Sequence, residues 1–242
     1  MNCGKSKTEL IVALDYDLLE KALDLVGKAG DAVRWYKVGS QLFTNYGPDA
    51  VKELKKRGKK VFLDLKFHDI PNTVAKAAAA GARMGADMLN VHASGGIEMM
   101  KSAVDTVKKE NANTLVIAVT VLTSMTDQVL RETLGRGADC NAAGHVAHLA
   151  KFAEFAGMHG VVASAHEIQI VKKCCGSSFI LVVPGIRPAF AEKNDQKRIM
   201  TPREASENGA DFIVVGRPVT DAPVPSEAAK MILEEIFSPV RI

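Results

Sequence analysis

The sequence lacks most of the signatures by which a function is usually read. No apolar run approaches the ~20 residues that a membrane-spanning helix requires. The first residues, MNCGKSKTE, lack the hydrophobic stretch of a signal peptide. A soluble, cytoplasmic protein is expected. Cysteine is scarce, and Cys3, Cys140, Cys174 and Cys175 form neither a CxxC pair nor a metal-finger spacing, so reduced thiols are expected. An excess of one charge is missing too. The 31 Lys and Arg residues against 28 Asp and Glu leave a formal charge of +3, with the basic residues scattered. That excludes an electrostatic case for nucleic acid but stays compatible with a small phosphorylated ligand. There is no GxGxxG, Walker loop, HExxH or nucleophile elbow, which removes the common dinucleotide, P-loop, zinc-protease and α/β-hydrolase readings.

What is present is a beat. Short, β-branched apolar runs occupy residues 9–15, 35–40, 60–67, 87–94, 114–123, 160–165, 179–185 and 211–217. Most are continuous rather than alternating, as in strands covered on both faces. Helix-like segments at 18–30, 48–58, 72–85, 96–111, 143–157, 166–176, 201–209 and 225–237 separate and follow them. The first three close on glycine, and TP before REA and PS before EAA read as helix starts. Eight strands alternating with eight helices over about 240 residues predict a (β/α)₈ TIM barrel, with an open doubly wound sheet as the alternative. No linker or low-complexity stretch divides the chain. A single domain over 1–242 is expected, with 1–8 as a short lead-in.

Catalytic groups of such barrels sit at the C-terminal ends of the strands. Those positions hold Asp15, Lys37, Asp64 with Lys66, Asn90, His92, Thr123, Ser164, Arg187 and Arg217, a far more polar set than the runs feeding it. Ionised groups are costly to bury alone, so mixed charges there predict mutual pairing, either catalytic or purely structural. Strand alternation places Asp64 and Lys66 on one face of VFLDLKF. Gly216 and Arg217 directly follow the eighth run, and Arg187 and Gln196 bound the loop after the seventh. Loops after strands seven and eight are the usual phosphate site of this fold. His92 has no second histidine at a matching strand end, so no metal is expected. His68 either orients a neighbour or is a plain loop residue.

These residues together resemble the orotidine 5′-monophosphate decarboxylase family. The most specific element is D-x-K-x-x-D-I-P-x-T, present as Asp64, Lys66, Asp69, Ile70, Pro71 and Thr73. Around it stand YKVG, VHASGG, VTVLTS, PGIRP, DQKR and VVGRP, in the family's order over nearly the whole chain. The resemblance implies a cofactor-free decarboxylation of a nucleotide to UMP in pyrimidine biosynthesis. It implies that Lys37, Asp64, Lys66 and Asp69 form the charged catalytic array, with Lys66 as proton donor. Asp15 and Lys37 match ribose contacts, and Thr123 matches a contact to the pyrimidine ring. Arg187, Gln196, Gly216 and Arg217 match the phosphate grip. Asp69 and Thr73 match residues that reach the neighbouring subunit's site, which implies a homodimer with shared active sites. One departure stands out: RPAFAEKND carries no glycine between Arg187 and Gln196, where many relatives have one or more. Two rivals are a Mg²⁺-dependent 3-keto-L-gulonate 6-phosphate decarboxylase, sharing the D-x-K-x-x-D core, and a non-catalytic nucleotide-binding protein. The I-P-x-T tail opposes the first, and the full set of lysines and aspartates opposes the second.

Overall fold

Each apolar run has two faces to cover, and the fold covers them differently. The computed structural model describes residues 8–135, 137, 140–191 and 200–237. The strands are β1 (Glu9–Ala13), β2 (Trp35–Gly39), β3 (Lys60–Phe67), β4 (Met88–His92), β5 (Leu115–Val119), β6 (Gly160–Val162), β7 (Ile180–Val183) and β8 (Phe212–Val215). All neighbouring pairs are parallel, and β8 closes on β1, so the sheet is the predicted barrel rather than the open alternative.

Alternate residues of each strand point outward under the helices, as Val12, Tyr36, Leu63 and Leu89 do. The others point inward and fill the barrel floor with Ile11, Trp35, Phe62, Met88, Val182 and Phe212. Trp35 and Phe212 meet edge to face at 5.3 Å, and the indole N–H of Trp35 donates to Glu9 at 2.8 Å. Fully burying a large apolar side chain contributes roughly 1.5–3 kcal/mol, so this floor can carry polar residues stacked above it. The floor is buried and apolar, leaving the mouth as the place where polar chemistry can happen.

The expected helices are present as Leu19–Ala29, Pro48–Lys56, Pro71–Arg83, Ile97–Glu110, Ala142–Phe155, Ile168–Cys174, Pro202–Glu207 and Pro225–Phe237. Thr201 caps Pro202–Glu207 in a reciprocal capping box with Glu204, which is what the TP-REA pattern predicted. Gly58 and Gly85, closing two of the early helices, have φ of 69° and 93°, a region that favours glycine. Three short helices escape the sequence reading: Ser40–Tyr46, Asp127–Leu134 and Arg217–Thr220. Each spans only one or two turns, too few for a periodic pattern to stand out. The fifth run ends earlier than expected, at Val119, where the hydroxyl of Thr120 also donates to the Val162 carbonyl at 2.8 Å. Among the described residues no helix is long and apolar enough to cross a membrane.

Candidate active site

Two residues above the floor, the inward positions change character. Trp35 is followed by Lys37 on β2, Phe62 by Asp64 on β3, and Met88 by Asn90 on β4. Asp15 lies just beyond β1. The Lys37 ammonium stands 2.9 Å from Asp15 Oδ1 and 3.5 Å from Asp64 Oδ2, while the Lys66 ammonium bonds Asp64 Oδ1 at 2.7 Å. The result is an alternating chain, Asp15–Lys37–Asp64–Lys66. Its centre is sheltered, with the Lys37 and Asp64 side chains 12% and 11% exposed, and its ends are open, with Lys66 at 36% and Asp15 at 58%.

Burial pushes the Asp64 carboxyl upward. The two ammoniums and the hydrogen bonds from Lys66 and Asn90 outweigh it, leaving the group below its ordinary range. Asp64 is therefore an anion held between two cations. His92 is also held below its ordinary value, first by burial and then by His68 and Lys66, with Asp64 opposing. Its ring lies 5.3 Å from that of His68 and favours the neutral state.

Asp64 and Lys66 lie on one side of β3, as expected, with Leu63, Leu65 and Phe67 packed on the other, but the register on which they meet is irregular. β3 pairs with β4 at Leu63↔Leu89 and again at Phe67↔Val91, so three residues of β3 face the single residue Asn90. Within this bulge Lys66 has φ 52°, the one non-glycine residue at positive φ among the described residues. The Asn90 amide fills the gap: its Nδ2 donates to Asp64 Oδ1 at 2.7 Å, and its Oδ1 accepts the Lys66 backbone N–H at 2.8 Å.

Gly39 supports the array from below. A Cβ there would come within 2.9 Å of the Lys37 nitrogen and 3.3 Å of Asp15 Oδ1. The sequence reading listed Asn90 only as a polar strand end and gave Gly39 no role. The YKVG string was the only trace of the second.

Other expected site residues fall outside this cluster. Asp69 is exposed and forms no ion pair among the described residues; its carboxylate accepts the Ile70 N–H at 2.6 Å. Thr73 is exposed in the first turn of Pro71–Arg83. The chain by itself thus does not bring Asp69 or Thr73 to Lys66. Thr123 is exposed in the turn after β5. Arg187 is buried beyond β7, where its N–H donates to the Met200 carbonyl at 3.0 Å. Arg217 is exposed and opens the short helix after Gly216, where an added Cβ would meet only Ala13, at 3.8 Å. Gln196 lies outside the described residues. Ser164 is a helix start, its N–H donating to Glu167 at 2.7 Å. No group of three His, Cys, Asp or Glu side chains among the described residues is arranged to hold a metal ion.

A closed parallel barrel with a charged chain across the C-terminal ends of its first three strands is built as a barrel enzyme. Which barrel enzyme follows from likeness. Residues 8–232 match the Orotidine 5'-phosphate decarboxylase / HUMPS family, and the chain belongs to that family of enzymes. It is 46% identical over 241 residues to the orotidine 5'-phosphate decarboxylase of Geobacter metallireducens, covering 98% of this chain and 100% of the relative. The enzyme of the same name from Idiomarina loihiensis is 50% identical over 228 residues, covering 94% and 97%. The crystal structure of orotidine 5'-phosphate decarboxylase from Lactobacillus acidophilus superposes with a TM-score of 0.84 at 41% identity, covering 95% of this chain and 99% of that one.

Proposed function

We propose that the chain decarboxylates orotidine 5′-monophosphate to UMP without a cofactor, through a carbanion at carbon six that Lys66 stabilises and protonates. The observation that carries this reading is the Asp64–Lys66 bond of 2.7 Å inside the alternating charge chain, in a chain so similar to decarboxylases of that name. Losing CO₂ from the orotate ring leaves a lone pair in the ring plane, where the π system cannot delocalise it. Charge must then be met electrostatically, and a preorganised ammonium is suited to that. Lys66 needs an acidic partner to stay charged once water is excluded, and Asp64 supplies it. The same ammonium then gives its proton to carbon six. Asp64 also repels the departing carboxylate, a secondary contribution.

Magnitude argues for a second source of rate. Large enzymatic accelerations correspond to roughly 8–23 kcal/mol, while one oxyanion-hole donor is worth about 3–4 kcal/mol. Binding energy from the phosphate, gripped by Arg187, Gln196, Gly216 and Arg217, is the natural supplement, used to hold the ring against Lys66. Asp15 and Lys37 would meet the ribose and Thr123 the pyrimidine.

Asp69 and Thr73 belong to this reading as groups offered to a second copy of the chain, with active sites shared across a homodimer. Their exposure beside Ile70, an apolar side chain 66% exposed, supports it. The test is the ultraviolet absorbance change on adding orotidine 5′-monophosphate in excess EDTA. Rapid conversion to UMP is expected, and silence from folded protein overturns the proposal.

A further inference from the structure

We infer that Asn90 is a positioning residue for this reaction: its amide bridges the Asp64 carboxylate to the Lys66 backbone and so sets the direction from which the lysine is presented. The inference rests on the decarboxylase reading for its kinetic consequence, but its structural content stands apart from it.

A bulge of three residues against one leaves ladder groups without strand partners, and buried backbone donors must find others. Asn90 is fully buried and carries one donor and one acceptor group on a short, stiff stem. Both are used. The ionised Asp64 carboxylate can only accept and the Lys66 N–H can only donate, so the orientation of the amide is dictated by its partners. Leucine, of nearly the same size, can do neither.

The bridge has two effects at once. It satisfies the N–H of a residue held at φ 52°, a conformation that L side chains adopt reluctantly. It also gives Asp64 Oδ1 a second donor beside Lys66, so the carboxylate is fixed from β4 as well as by the two ammoniums. Without it, Asp64 could rotate toward Lys37, and Lys66 could relax out of its strained turn. Neither change removes a group that touches substrate, which is why the effect should fall on turnover rather than on affinity.

Asn90→Asp is the discriminating variant. It keeps an acceptor for the Lys66 N–H but sets a second carboxylate where the donor stood, 2.7 Å from Asp64 Oδ1. Two carboxylates so close cannot both ionise freely, and one pKa rises. The charged and titratable groups facing the pair are Lys37 from β2, Lys66 from β3, His92 from β4 and, through Lys37, Asp15 beyond β1, with His68 behind His92. As pH falls, a proton enters between the two carboxylates and restores an O–H donor in place of the amide. Activity relative to the parent chain should therefore rise as pH is lowered.

The experiment compares the parent, Asn90→Leu and Asn90→Asp. In Asn90→Leu, kcat for orotidine 5′-monophosphate is expected to fall roughly 10- to 100-fold, the value of one or so hydrogen bonds to a charged group, with KM little changed. In Asn90→Asp the ratio of kcat to that of the parent should climb from pH 8 to pH 5.5. Carbon-13 NMR of the Asp64 carboxyl, assigned by its loss in Asp64→Asn, should show its titration moved upward in Asn90→Leu. A kcat within twofold of the parent, a flat pH ratio, or an Asp64 titration unmoved in Asn90→Leu would overturn the inference. Failure of both variants to fold would assign Asn90 to folding and overturn it too. A parent without turnover would instead sink the decarboxylase reading, and the Asp64 titration would then decide the bridge alone.

Discussion

Gly39→Ala isolates the geometry of the charge chain from the stability of the fold. Gly39 closes β2 with φ −92° and ψ −178°, extended backbone that alanine adopts freely. The added Cβ would stand 2.9 Å from the Lys37 nitrogen and 3.3 Å from Asp15 Oδ1. Comfortable non-bonded contact begins at about 3.5 Å, so the ammonium must retreat by roughly half an ångström or more, and a lysine tip can do so. That move must lengthen or re-aim its pairs with Asp15 at 2.9 Å and Asp64 at 3.5 Å. The cost in stability is small. Losing an ion pair with a half-exposed carboxylate costs about 0–1 kcal/mol, and replacing glycine at a compatible position stabilises by about 0.4–1 kcal/mol. These offset, so Tm should stay within about 4 °C of the parent. Catalysis is less forgiving, because a misplacement of about 1 Å can cost on the order of 100-fold. Turnover, followed by ultraviolet absorbance, should therefore fall about 10-fold or more while the melting curve holds. Turnover within twofold of the parent would show that the position of Lys37 is immaterial. A large fall in Tm would mean that Gly39 serves the fold and not the array.

Lys66→Ala should retain UMP binding while turnover collapses by several orders of magnitude, since in the proposed mechanism it removes the proton donor and the balancing charge; near-normal turnover would end the proposed proton-donor role. Mixing Asp69→Asn chains with Lys66→Ala chains should restore part of the activity, because a mixed dimer would hold one intact shared site. The lack of any recovery under verified subunit exchange would refute the shared site. The Asp64 carboxyl is held below its ordinary range, so the stability it adds is present above the unfolded-state carboxyl pKa and is lost as pH falls through the lower, folded value. Urea midpoints should thus decline less steeply in Asp64→Asn than in the parent as pH is taken from 5 toward 2. Parallel declines would show that Asp64 is not held that way.

The barrel was legible because its determinants are local. Continuous β-branched runs, glycine at helix ends and the Thr201–Glu204 capping pattern each act over a few residues, and eight repeats of one unit leave little choice of topology. Lys37, Asp64, Lys66 and Asp15 were legible as charges at strand ends, because burial there demands pairing whatever the details. The short helices were not, since too few residues carry their pattern.

The site was decided further out. Alternation along β3 put Asp64 and Lys66 on a common face, and their ion pair meets that expectation, yet the chain reaches it through a bulge and a left-handed lysine. Nothing in the local string forces that choice. It depends on the register of β3 against β4 and on an amide 26 positions from Asp64 that bonds both sides of the bulge. Gly39 likewise matters only because two side chains from different strands converge over it. The sequence by itself determined the barrel and the charges at its mouth, through short-range pattern and the cost of burying a lone ion. Tertiary structure decided which charge meets which and from what direction, because register between strands distant in sequence is settled only when the barrel closes.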